Sequence, residues 1–236
     1  MLELLYRDER VVALAKPSGL VVHRSQRARD RDTCQRLLRD ALGRWVWPAH
    51  RLDRGTSGVL LFALDPDAAS ALAESFAARR VRKTYLALAR GFVPEAGEID
   101  HALRPTDGGA PRPALTRYTR LAQVELPYAV GRYPSARYSL VRAEPLTGRE
   151  HQVRRHLRHI DHPLVGDVTW GDSRHNRFFR ETFSLHRLAL HALRLELPHP
   201  DGRGALDLLA PLPAELRALF ARWGWARALD EAEATA

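Results

Sequence analysis

The stretch best equipped for chemistry is His50-Arg51-Leu52-Asp53-Arg54-Gly55-Thr56-Ser57-Gly58, which runs directly into the apolar segment Val59-Leu60-Leu61-Phe62-Ala63. One carboxylate, Asp53, stands between two arginines in a turn-forming loop at the lip of an expected buried strand. From such a loop a rigid scaffold can present a reactive side chain. Arg51 and Arg54 favour the charged form of that carboxylate and attract a polyanion. An exposed Arg–Asp–Arg ion pair has the same composition, so the loop alone leaves a surface cluster and a reactive site both open.

Three other segments carry unusual side chains. Lys83-Thr84-Tyr85 places an amine and a phenol on one face of an expected strand. Thr147-Gly148-Arg149-Glu150-His151-Gln152-Val153-Arg154 puts a turn at the start of an expected helix, on which His151, Arg154 and Arg158 share a face. His191 lies inside the apolar strand Leu188-Ala189-Leu190-His191-Ala192, the usual setting of a hydrogen-bonded core histidine. His151, His156, His159, His162 and His191 lack ligand spacing and acidic or cysteine companions, so no metal site is expected. No glycine-rich phosphate loop, dinucleotide fingerprint or Gly-x-Ser-x-Gly elbow occurs. Glycosidase chemistry needs a second carboxylate in a comparable setting, and none is found. What is left is a cofactor-free site around Asp53, whose neighbours suit a nucleophile better than a proton donor.

These groups need elements to position them. Segments 2–6, 11–15, 59–64, 83–89, 99–103, 116–125, 137–144 and 185–197 read as strands. Helices are expected from Asp32 or Thr33 to Leu42, over 65–78 with Asp65 as cap and Pro66 at the first helical position, over 149–160, and over 212–223. Without strict alternation of strand and helix, the expected class is α+β, with a mixed, mostly antiparallel central sheet flanked by helices. One catalytic domain over 1–225 is expected, followed by an acidic, alanine-rich tail, 226–236, that frays.

Composition narrows the partners. The chain has 236 residues and a formal charge of +9, and 45% of its residues are hydrophobic, which implies a globular protein. Arginines cluster at Arg24, Arg27, Arg29, Arg31, Arg36 and Arg39, at Arg79, Arg80 and Arg82, and at Arg149, Arg154, Arg155 and Arg158, a nucleic-acid footprint in which Arg24 and Arg29 are expected to bind phosphate. Interleaved Trp45, Trp47, Tyr85, Tyr118, Tyr133 and Tyr138 favour RNA, whose unpaired bases stack on aromatic rings. Lys16 and Lys83 are the only lysines, retained against an arginine bias. No apolar run is long enough to span a bilayer, the N-terminus has no basic leader, and Cys34 is the one cysteine, so a cytoplasmic protein without a disulfide is expected.

Together these segments resemble the RluA family of RNA pseudouridine synthases. His50–Asp53 with Thr56–Gly58 matches the family's His-Arg-Leu-Asp and Thr-Ser-Gly motif, and Lys83–Tyr85 its Lys/Arg-x-Tyr motif. Thr147–Arg154 resembles its Thr-Gly-Arg-x-His-Gln-hydrophobic-Arg motif, and Lys16-Pro17-Ser18-Gly19 its early turn. The resemblance covers nearly the whole chain. It is strongest for a subgroup acting on uridine 65 of tRNA, through Leu20–Ser25, Gly131–Pro134, Arg137-Tyr138 and His162–Asp167 on to Asn176-Arg177. Gly55 departs from that subgroup, which often has proline there.

The resemblance implies a pseudouridine synthase fold with no preceding S4-type RNA-binding domain, and an isomerase that acts as a monomer on RNA, chiefly tRNA, without a small-molecule cofactor or a membrane. Asp53 would be the nucleophile, Arg154 its partner, and Tyr85 the ring that stacks on the flipped uracil and assists loss of the C5 proton. Arg51 would fill the gap left by the base, and His50, Leu52, Lys83, His151, Gln152 and Val153 would join it along the RNA. That assignment turns Arg51 and Arg54 toward RNA rather than toward Asp53. The alternatives are a ribosomal-RNA synthase and a non-catalytic RNA-binding protein. A hydrolase using Asp53 with His50 or His191 lacks a pair to activate water.

Overall fold

The structure is a computed structural model that describes residues 2–24 and 30–235. In chain order the first elements are β1 (Glu3–Arg7), β2 (Val11–Lys16), α1 (Cys34–Leu42), β3 (Trp47–Pro48), β4 (Ser57–Ala63) and α2 (Pro66–Ala77). Next come β5 (Arg82–Arg90), β6 (Ala96–Asp100), β7 (Leu115–Leu126), β8 (Ala136–Pro145), α3 (Gln152–His159) and α4 (Ser173–Phe183). The last are β9 (Leu190–Pro198), β10 (Ala205–Leu209), α5 (Ala214–Ala221) and α6 (Ala226–Thr235). They pack as two compact units, Met1–Lys83 with Ala192–Pro211, and Thr84–His191 with Leu212–Ala236. The class is α+β and the ladders are largely antiparallel, as the pattern of elements implies, with a parallel bridge from Val21 to Thr33.

In the first unit β1, β2, β4 and β9 lie in that order, with β3 also paired to β4 and β10 to β9. β4 reads Ser-Gly-Val-Leu-Leu-Phe-Ala and is buried at every position, the mark of a strand covered on both faces. Val11, Ala13, Val59, Leu61 and Ala63 pack with Ala68 and Leu72 of α2 and with Leu195, Leu197, Leu206 and Leu208. Capping follows the sequence: Thr33 accepts from Arg36 N at 3.1 Å, and Asp65 accepts from Ala68 N at 2.8 Å. Gly58 is required by close approach, since a Cβ there would lie 2.1 Å from the Ala192 carbonyl oxygen and its φ is +119°.

In the second unit β5, β8, β7 and β6 form an antiparallel run. Val153 and Leu157 of α3 pack with Ala87, Ala89, Val141 and Ala143 of β5 and β8. Phe179 anchors an aromatic cluster with Tyr138, Phe183 and Trp223.

Four expected boundaries move. Segment 149–160 becomes helical only at Gln152, because His151 takes a left-handed conformation, φ 56°. The late strand opens at Leu190 rather than 185, after Ser184 has ended α4 in the left-handed region. The strand expected at 99–103 sits at Ala96–Asp100, where pairing with β7 sets its register, and Leu103 bridges to Arg112 instead. The tail expected to fray is α6, with Leu229 and Ala232 buried. Two apolar positions three apart suffice to dock a short alanine-rich helix.

Candidate active site

β2 ends at Lys16, opposite Gly58 at the start of β4, so the turn after β2 lies alongside the loop that carries Asp53. Lys16 is 1% exposed, and its Nζ donates to the carbonyls of Pro17 at 2.8 Å, Leu20 at 2.6 Å and Arg54 at 3.1 Å. Ser18 Oγ donates to Gly55 O at 2.7 Å, and Gly19 N to Arg54 O at 2.8 Å. Thr56 N closes the turn on Asp53 O at 3.1 Å. An ammonium offers three rotatable donors to three diverging carbonyls, which a planar guanidinium does not match. That is what the retained lysine does.

His50 fastens the other end of the loop. Its Nε2 accepts from Leu61 N at 3.2 Å, and its ring stacks on Phe76 with centroids 5.4 Å apart. Burial, helped by the charge of Lys83, pushes its pKa down to about 3, so the ring is a neutral acceptor. Leu52 is buried beside Asp53, which is half-buried, while Arg51 is exposed. Arg54 is exposed and forks onto Asp30 at 2.8 and 2.7 Å, and Arg24 Nε reaches the Asp30 carbonyl at 3.0 Å. Asp30 lies too far along the chain for a local pattern to reveal it as the partner of Arg54. Arg29 lies outside the described residues. Lys83 at the start of β5 is half-buried, and burial pushes its pKa down to about 8.

The second unit carries Tyr85, His151, Gln152, Val153 and Arg154. Tyr85 is half-buried and packs against the core of that unit. Gln152, expected along the RNA, is 5% exposed. Its Oε1 accepts from Thr147 Oγ1 at 2.7 Å and Arg149 N at 2.9 Å. Its Nε2 donates to Leu115 O and Thr116 Oγ1, both at 2.9 Å. With the amide filled on both sides, Gln152 welds the Thr-Gly-Arg turn to β7, and Val153 is a core residue. His151 Nδ1 receives Trp170 Nε1 at 3.4 Å. Arg154 is buried and makes a two-point ion pair with Asp167, at 2.6 and 2.8 Å. Asp167 was visible in the sequence as part of His162–Asp167, but nothing in that stretch identifies its partner.

Among the described residues, no group of three or more His, Cys, Asp or Glu is placed to hold a metal ion, and no helix is long and apolar enough to cross a membrane. Fold and motif-bearing segments together define a class, the RNA-modifying isomerases that rearrange a uridine. The profile described as RNA pseudouridylate synthase matches residues 10–159. The chain belongs to the RNA pseudouridylate synthase family, whose members convert uridine to pseudouridine.

Among curated relatives, a protein of Pectobacterium carotovorum named tRNA pseudouridine synthase C is 46% identical over 99% of this chain, which spans 65% of that relative's length. The Yersinia pestis protein of the same name is 45% identical over 95% of this chain and 92% of its own. Among solved structures, human RNA pseudouridylate synthase domain containing 1 superposes with a TM-score of 0.75 at 30% identity, over 94% of this chain and 87% of that one. Human RNA pseudouridylate synthase domain containing 4 gives 0.72 at 26% identity, over 95% and 93%.

Proposed function

We propose that this protein converts uridine 65 of tRNA to pseudouridine with Asp53 as nucleophile, acting as a cytoplasmic monomer in which residues 1–225 serve as one catalytic domain. The observation that carries the reading is the similarity to relatives named tRNA pseudouridine synthase C along nearly the whole chain. The clamped His50–Thr56 loop supports the role of Asp53, because a nucleophile gains most from a backbone that does not reorganise.

The target nucleotide leaves the stack at a cost of a few kcal/mol, offset by arginine–phosphate contacts, with exposed Arg51 and Arg24 on the RNA side. Asp53 attacks the nucleotide, the N1–C1′ bond breaks, the uracil turns, and a C5–C1′ bond forms as the carboxylate departs. C5 loses its proton and N1 gains one, so neither water nor a redox partner is consumed. Tyr85 stacks on the uracil and assists at C5, and Arg154 supplies positive charge to the reacting groups.

RNA labelled with tritium at uridine C5 tests this, since release follows loss of the C5 hydrogen. We expect release from tRNA by the wild type, and release slower by at least about 10⁴-fold with Asp53→Ala. Carbodiimide-blocked primer extension should then place the product at position 65. Release from ribosomal RNA alone would overturn the tRNA assignment, and equal release by Asp53→Ala would remove Asp53 from its role.

A further inference from the structure

Asp167 closes the segment His162–Asp167, to which the proposed reaction gives no task. Its side chain is 0% exposed and that of Arg154 8%. Arg154 Nε and Nη2 donate to Oδ2 and Oδ1, and Oδ1 also takes the backbone N–H groups of Thr169 and Trp170, each at 3.0 Å. Burial pushes the carboxyl pKa up, but the Arg154 and backbone hydrogen bonds outweigh it, and the net shift is downward. The pair is a salt bridge, not a neutral contact.

The loop around it is built to hold that carboxylate still. Asn176 donates Nδ2 to Asp167 O at 2.8 Å and accepts Gly166 N on Oδ1 at 2.7 Å. Gly166 has φ +78°, and a Cβ there would lie 1.9 Å from Arg187 O. A Cβ on Gly171 would lie 2.2 Å from the Asp167 carbonyl oxygen. Such a pair is a poor device for stability, because apolar residues of the same volume would serve as well. What it supplies is direction: a two-point fork fixes the plane of a guanidinium that otherwise samples many rotamers.

We propose that Asp167 is the positioning residue of Arg154, orienting its guanidinium before RNA binds and acting on the reaction only through it. This rests on the reading of Arg154 as part of the catalytic set.

The test is tritium release by wild type, Asp167→Asn, Arg154→Lys and the double variant, with KM for tRNA and melting curves measured in parallel. We expect Asp167→Asn to lower kcat about a hundredfold while KM moves less than about threefold. Arg154→Lys, which keeps the charge but loses the fork, should be similarly slow, and the double variant no slower than Arg154→Lys. A kcat for Asp167→Asn within about threefold of wild type, or a double variant slowed by the product of the two single effects, would overturn the proposal. If Asp167→Asn does not melt cooperatively, Asp167→Glu, which keeps the carboxylate but moves it by one methylene, decides. A rate near wild type overturns the proposal, and a loss of about a hundredfold at unchanged KM supports it. Wild-type release separates the two claims. A silent wild type overturns the catalytic reading and this role with it, whereas an active wild type beside an indifferent Asp167→Asn overturns only the role.

Discussion

Lys16 and Asp167 are both buried ionic side chains next to a motif residue, yet one gathers carbonyl oxygens and the other gathers N–H groups. Every hydrogen bond described above for Lys16 goes to main chain, at Pro17, Leu20 and Arg54. Asp167 divides its oxygens between the Arg154 side chain and the amides of Thr169 and Trp170. The first arrangement fixes where a backbone runs, and with it where the Asp53 side chain starts. The second fixes where a long side chain points. Loss of the first should therefore appear mainly in stability, and loss of the second in rate as well as in stability, because Arg154 is then buried without that carboxylate.

The largest stability effect should come from Lys16→Met. It leaves three carbonyls without their shared donor and should cost about 3–5 kcal/mol, read from denaturant unfolding. Lys16→Arg keeps the charge but crowds the site, at about 1–3 kcal/mol. A Lys16→Met protein within about 1 kcal/mol of wild type would break the comparison, because it would mean that the clamp is dispensable.

What was legible beforehand follows the same division. Runs such as Val59–Ala63, the Asp65-Pro66 cap and the ordered motifs are local patterns, and the structure realises them as β4, α2 and the Asp53 loop. The use of Lys16, the Arg54–Asp30 fork and the Arg154–Asp167 pair join residues remote in sequence. Composition says that arginines abound, but not which carboxylate each one meets. The left-handed His151 was hidden too, since it is the folded Thr147–Gln152 turn that sets it.

Gln152 offers a neutral counterpart to the two ions, with donors and acceptor used at once. Gln152→Leu keeps the volume but takes one hydrogen-bond partner each from Thr147 Oγ1, Arg149 N, Leu115 O and Thr116 Oγ1, and should cost about 2–3 kcal/mol. Thermal melting measures this. A loss as large as that of Lys16→Met would show that charge adds nothing to the Lys16 clamp.

The smallest effect belongs to a more exposed cluster in the first unit, where His199 stands between Asp8, at 2.8 Å, and Asp201. Burial alone would lower the His199 pKa, but the two carboxylates outweigh it and raise the value above its usual 6.5. Burial likewise works against the Asp8 carboxylate, and hydrogen bonds from Tyr6, His199 and the Val11 and Arg10 amides pull its pKa down to about 2. The His199 contribution is therefore full below pH 6.5 and fades as pH rises through the raised folded value. The Asp8 contribution is full above its unfolded value and fades as pH falls toward about 2. Stability should lie highest between those limits, and His199→Gln should flatten the alkaline side of the profile. Because these groups are partly wet, the effect should be smaller than either buried clamp gives and should shrink with salt. An alkaline decline that survives His199→Gln unchanged would assign that slope to another group.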